Sequence, residues 1–94
     1  MTPVLFRKYK THPRNIVAVF PDLPGTNDPS TVTVYEHNGQ HSHASYVTMI
    51  AITTPATPEE YAPLADELIR QGYDDLQPVR RETKQHRQTR KELI

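Results

Sequence analysis

The sequence predicts an α+β domain: a three-stranded antiparallel meander packed against one long and one short helix, with a short fourth edge strand and a polar C-terminal tail. Three observations carry that expectation. Ile16-Val17-Ala18-Val19-Phe20 is continuously apolar and rich in β-branched residues, which suits a central strand covered on both faces. Thr31-Val32-Thr33-Val34-Tyr35 alternates with a period of two, placing Val32 and Val34 on one face and Thr31, Thr33 and Tyr35 on the other. Residues 57–72 combine a capping box, a one-sided apolar stripe and a terminating glycine, which together define a helix.

The chain in order supports the same layout. Pro3 to Lys10 reads as a first strand with Val4, Leu5, Phe6 and Tyr9 as its apolar content, and Thr11-His12-Pro13-Arg14-Asn15 has turn chemistry, so the first two strands form a hairpin. Pro21 to Ser30, with three prolines and Gly25, is a long loop with little to bury. Ala44 to Thr54 is ambiguous. Its β-branched residues favour a strand, yet Tyr46, Met49, Ile50 and Thr53 fall at helical spacing, and Ser42 or Ser45 could cap. Thr57-Pro58-Glu59-Glu60 then opens the long helix, 58–71, whose Tyr61, Leu64 and Leu68 are expected to wedge against the valine rows. Pro63 lies on its polar face and should bend it rather than end it, and Gly72 should close it with Tyr73 folding back on Leu68. Leu76 to Arg81 allows a short last strand in which Pro78 demands an edge or a bulge. From Glu82 the chain is a solvated helix or a disordered tail.

Ninety-four residues allow one domain, assigned to residues 1–81 with a basic tail at 82–94. Only 35% of the residues are hydrophobic, tryptophan is absent, and the mean hydropathy is −0.71, so the core is thin. Thin cores often rely on disulfides, a metal or a partner. The absence of cysteine removes disulfides and thiolate zinc sites, leaving a histidine metal site or self-association as a homo-oligomer. Eleven basic and eleven acidic side chains cancel, but the charge is patchy. Residues 1–14 carry Arg7, Lys8, Lys10 and Arg14 without an acid, and residues 59–75 carry Glu59, Glu60, Asp66, Glu67, Asp74 and Asp75 against Arg70. Val4-Leu5-Phe6 is too short for a secretory core and no apolar run approaches a membrane span, so a soluble, cytoplasmic protein with no membrane partner is expected.

His37-Asn38-Gly39-Gln40-His41-Ser42-His43 is the stretch that concentrates chemistry, with three of the five histidines and one of the three glycines. Functional groups are often held on such connections. Tyr35, His37, Gly39, Gln40, His41, Ser42 and His43 are therefore the candidate binding residues, with the Pro21–Ser30 loop beside them. His37, His41 and His43 could also ligate zinc or nickel, helped by His12, Asp22 or Glu36, although a short histidine cluster is a weak motif. The plainer reading is a tight turn, because Asn38-Gly39 favours left-handed geometry and the flanking side chains can satisfy backbone groups. Ser42 and Ser45 lack a glycine-framed elbow and an orienting acid, so neither reads as a nucleophile. Arg80, Arg81, Lys84, Arg87, Arg90 and Lys91 could track phosphates, but no aromatic residue is interleaved for base stacking. Glu59 and Glu60 are explained by their place in a first helical turn.

Several of these pieces together resemble a family of small uncharacterised proteins encoded by bacteria, their phages and plasmids. The matching residues are Phe6-Arg7-Lys8, Ala18-Val19-Phe20-Pro21, Tyr35 with His37, Gly39-Gln40-His41-Ser42, Tyr46, Thr54-Pro55-Ala56-Thr57-Pro58-Glu59-Glu60-Tyr61, Glu67-Leu68 and Gly72-Tyr73. They span about residues 5–80. An acid often precedes the position of Tyr46 in that family, where this chain has Ser45. The resemblance implies a helix over 43–53 and a mobile-element role such as interference with a host system; it implies no activity.

The functional expectation is a non-enzymatic binding module that contacts a protein partner and inhibits a host enzyme or defence complex, without a cofactor. The alternatives are a histidine-dependent metal hydrolase or nuclease, and a nucleic-acid binder using the basic termini.

Overall fold

A computed structural model describes residues 1–37 and 39–94. The elements are β1 (Thr2–Tyr9), β2 (Ile16–Phe20), β3 (Thr31–Tyr35), β4 (His41–Ser45), α1 (Tyr46–Ile52), β5 (Thr53–Pro55), α2 (Pro58–Arg70), β6 (Leu76–Pro78) and α3 (Lys84–Glu92). The expected meander is present: β1 pairs antiparallel with β2 through Leu5↔Val19 and Arg7↔Val17, and β2 pairs with β3 through Ala18↔Tyr35 and Phe20↔Thr33.

The sheet is larger than the three strands and one edge strand expected from sequence. It has six strands in the order β4-β3-β2-β1-β5, with β6 also on β1. The outer edge of β1 is shared: β5 runs antiparallel along Arg7–Tyr9, and β6 runs parallel along Thr2–Val4. β5 and β6 are three residues each, too short to show a period, and both contain the proline that restricts them to an edge. β4 is polar, so its alternation carries no hydrophobic signal. The stretch of divided preference, 44–54, is used both ways: strand to Ser45, then helix, then strand. Ser45 is the cap, its Oγ accepting from Thr48 N–H.

Alternation in β1 and β2 is apolar in both phases, so the sheet buries both faces. Val4, Phe6, Ile16, Ala18, Phe20 and Tyr35 face α2 and meet Leu64 and Leu68. Leu5, Val17, Val19, Val32 and Val34 face the other way and meet Met49 of α1. The expected packing of α2 against the valine rows is therefore corrected: Val17, Val19, Val32 and Val34 lie under α1, and α2 packs on the aromatic face, where Tyr61 stacks on Phe6 with centroids 4.2 Å apart. Helix α2 starts with the expected capping box of Thr57 and Glu60, and passes through Pro63. It ends as expected, with Gly72 at φ +113° and the Tyr73 N–H donating to Leu68 O.

The C-terminal segment is helical and docked. Arg90 is 2% exposed. It donates to the carbonyls of Pro21 (2.7 Å) and Pro29 (2.9 Å), pairs with Glu82 at 2.7 Å, and lies over the Tyr46 ring. One side chain thus clips α3 to the 21–30 loop and to α1. Among the described residues, no helix is long and apolar enough to cross a membrane.

Candidate functional site

The sequence places a turn after β3, and Gly39 supplies the left-handed residue, φ +78°, that lets the chain return as β4. Nothing lies within 4 Å of where a Gly39 Cβ would stand, so the glycine serves the backbone angle alone. The Asn38 half of the predicted turn lies outside the described residues.

Register then decides where the histidines point. His41 stands opposite Tyr35 and His43 opposite Thr33, so both lie on the α2 face, while Ser42 opposite Val34 lies on the α1 face. His41 and His43 are thus strand residues, not the loop residues their sequence suggested. The His41 ring packs 4.9 Å from the Tyr35 ring and 5.9 Å from that of Tyr73, and its Nε2 is 2.8 Å from the Tyr73 hydroxyl. Tyr73 in turn stacks on Phe20.

A second set of bonds joins the same turn to α2. The Tyr35 ring is fully buried, and a buried phenol needs a partner for its hydroxyl. It donates to Glu67 Oε1 at 2.5 Å and accepts from Gln71 Nε2 at 2.5 Å. The other Glu67 oxygen is 2.6 Å from His37 Nδ1, an ion pair whenever that imidazole is protonated. Hydrogen bonds from Tyr35 and then His37 hold the Glu67 carboxyl below its ordinary value. The bond to Glu67, followed by burial, raises the Tyr35 phenol. Tyr35, His37 and His41 therefore form one surface with Glu67, Gln71 and Tyr73.

No family model, curated protein or solved structure matches the chain. The family resemblance accordingly rests on its motifs alone.

Glu67, Gln71 and Tyr73 were not among the residues singled out for the site. Their signal was present: Glu67 and Gln71 are four apart on a helix, hence on one face, and Gly72-Tyr73 turns the next side chain back over the sheet. The three metal candidates are drawn to three different neighbours: His37 to Glu67, His41 to Tyr73, and His43 beside Gly25. Among the described residues, no group of three or more His, Asp or Glu converges. Of the accessory ligands considered, Asp22 instead faces His86 at 3.9 Å, and Glu36 bonds Tyr9. Ser42 points away from both neighbouring histidines, as alternation requires.

The basic candidates divide. Arg80, Arg81, Lys84, Arg87 and Lys91 are exposed, whereas Arg90 is buried and fully engaged, so it faces no phosphate. The 21–30 loop is exposed only at 26–30, where Asp28 accepts from the backbone and side chain of Ser30. Its other half crosses β3 on the α2 face, with the Thr33 hydroxyl donating to Pro24 O. Two clefts lie elsewhere. One of about 280 Å³ opens between β5 and β6, lined by Phe6, Pro55, Pro58, Tyr61 and Pro78. The other, about 330 Å³, lies between α1 and α3 beside Tyr46 and Val47. None of the six linked residues lines either.

Proposed function

We propose that this protein is a non-enzymatic binding module that recognises a protein partner through the β3–β4 turn and the adjoining end of α2. One observation carries the reading: the hydrogen bonds around the Tyr35 hydroxyl and from His41 to Tyr73 tie exposed polar groups on two elements into one pre-set surface. Side chains already ordered in the free protein lose less entropy on association, which favours a contact surface. Aromatic residues with polar tips, here His41 and Tyr73, are also the kind that anchor interfaces. The surface sits away from both clefts, which fits contact with a macromolecule better than enclosure of a small substrate. The motif resemblance adds the finer part of the reading: a module of a mobile element or its bacterial host that inhibits a host enzyme or defence complex by contact.

The test compares wild type with Gln40→Ala and His37→Ala, each immobilised and exposed to bacterial lysate, with retained proteins quantified by mass spectrometry. The expected result is a retained protein depleted about tenfold by both variants, with both still showing cooperative thermal melts. If no retained protein distinguishes wild type from either folded variant, the surface is not the recognition site.

A further inference from the structure

The open edge of the sheet has a defined hydrogen-bonding phase. Thr33 N–H donates to Leu23 O, on the β2 side of β3, so Val32 and Val34 direct their main-chain groups toward β4. Their partners Ala44 and Ser42 therefore point inward. Tyr46 N–H, two residues beyond Ala44, donates to Ser30 O and shows the same phase independently. The main-chain groups of His41 and His43, and the N–H of Ser45, consequently point away from the sheet. The Ser45 carbonyl is not free, because as a helix cap it accepts the first bond of α1. Among the described residues, nothing pairs with this edge.

Sheet edges are usually defended by proline, by a charged side chain, by a bulge or by extreme shortness. The opposite edge is defended in two of these ways, since β5 and β6 have three residues each and contain Pro55 and Pro78. β4 has five residues, His-Ser-His-Ala-Ser, with no proline, lysine or acid. Just past its end, Val47 is 74% exposed.

We infer that β4 is a self-association edge, pairing antiparallel with β4 of a second copy about a two-fold axis through His43. A two-fold contact must be self-complementary, and this strand is. His43 faces its own mate and exchanges two main-chain bonds with it. Each Ser45 N–H meets the His41 carbonyl of the other chain, making four bonds in all. Ser42 falls opposite Ala44, so small uncharged side chains meet on the α1 face. The two β3–β4 turns end up at opposite ends of the joined strands, so the pairing leaves the proposed recognition surface duplicated rather than used. A second copy is the occupant the edge suits, because pairing about His43 closes four main-chain bonds and sets the small Ser42 and Ala44 side chains against each other. The pairing is short, so its Kd is on the order of 10–100 µM, weaker than that of standard-size interfaces.

The test is sedimentation velocity across a concentration series spanning that Kd, on wild type and His43→Lys. Residue 43 is exposed, and lysine retains the Cβ that packs beside Gly25. Two lysines across the axis should raise the dimer Kd about two- to fivefold, with an unchanged thermal melt. A wild type that stays monomeric throughout, or a dimer that His43→Lys leaves intact, overturns the pairing. Should His43→Lys fail to fold, His43→Cys decides. Directly opposed residues of a bonded pair have Cα atoms about 5.5 Å apart, inside the disulfide range of about 4.4–6.8 Å, and the chain has no other cysteine. Mild oxidation should give a covalent dimer of His43→Cys and none of the exposed-turn control His12→Cys. Equal cross-linking of the two overturns the proposal.

Discussion

Replacing Arg90 by methionine tests whether the C-terminal helix belongs to the fold. Methionine keeps the bulk of the stem but removes every donor. It leaves the carbonyls of Pro21 and Pro29 without this partner and leaves Glu82, whose side chain is 13% exposed, beside an apolar group. Removing one member of a buried ion pair costs about 3–5 kcal/mol, because the other charge stays buried. Glu82 keeps a second contact, Arg87 at 3.3 Å, which places the expected loss at the lower end, about 3 kcal/mol. For a domain of this size that corresponds to a fall of roughly 12–24 °C in melting temperature. Urea unfolding and calorimetry measure it, with Arg87→Met as control: that side chain is 47% exposed and should cost under about 1 kcal/mol. Adding Glu82→Leu to Arg90→Met should recover part of the loss, since the stranded carboxylate is then gone. A loss below about 1 kcal/mol for Arg90→Met, or an equal loss for Arg87→Met, would refute the assignment of Arg90 as the clip that holds α3.

Three further outcomes follow from specific contacts. A Cβ at Gly25 would stand 2.5 Å from the His43 Cβ and 2.6 Å from Val32 O, so Gly25→Ala should cost about 1–3 kcal/mol by urea titration and shift the amide resonances of β4; unshifted β4 resonances would mean the loop does not rest on that strand. The Glu67 carboxyl is lowered on folding, so its contribution is complete above the unfolded-state value of about 4.3 and is lost as pH falls through the lower folded value. Because Glu60, Asp28 and Asp75 are lowered too, Glu67→Gln should flatten but not abolish the decline of melting temperature with acidification, and an unchanged slope would remove Glu67 from the network. Burial first, then Glu36, pushes the Tyr9 phenol up to about 12, so folding disfavours its phenolate and stability falls as pH rises from the unfolded-state value toward 12. Phenolate absorbance should show a component with a midpoint about 12 that Tyr9→Phe removes, and a spectrum unaltered by that change would show Tyr9 to titrate normally.

How much of this was legible in the sequence follows from where the core sits. Among the described residues, eleven of the fourteen buried hydrophobics stand on β1, β2 and β3, and Met49, Leu64 and Leu68 come from helices. A strand buried on both faces announces itself as an unbroken apolar run, so β2 could be read directly, and the alternation of β3 was equally plain. Helix α2 was readable for another reason: its capping box and closing glycine are local chemistry that needs no tertiary context. Helix α1 buries little beyond Met49, so its helical spacing and Ser45 cap competed with β-branched propensity, and Pro78 marked β6 as an edge strand; β5, three residues held by pairing with β1, had no such signal. The histidines were misplaced because β4 takes its alternation from Tyr35 and Thr33 across the ladder rather than from its own hydrophobicity. Arg90 left no local trace at all, since its partners lie eight, sixty-one and sixty-nine residues away.

The same distribution explains why partners should be sought where they are. With 35% hydrophobic residues, the chain covers both faces of its central strands by placing the longer α2 on one side and the short α1 on the other. Little apolar surface is left over for a broad docking face: the exposed large hydrophobics are Met1, Val47, Ile52, Ile69, Leu93 and Ile94, mostly at helix flanks and chain ends. What the fold leaves open among the described residues is directional and polar instead, namely the outward main-chain groups of His41 and His43 on β4 and the fixed side chains beside the Gly39 turn. Recognition built on such groups depends on their being held in place. Of the contacts that hold them, the Tyr35 hydroxyl's bonds to Glu67 and Gln71 bear most directly on the turn. Tyr35→Phe should therefore loosen the turn while leaving the core filled, because the ring remains and only its two bonds are lost. Faster amide exchange at Gly39 to His41 with an unchanged m-value would be the result. If exchange there matched wild type, the turn would owe its position to Gly39 and to the His37–Glu67 and His41–Tyr73 contacts instead.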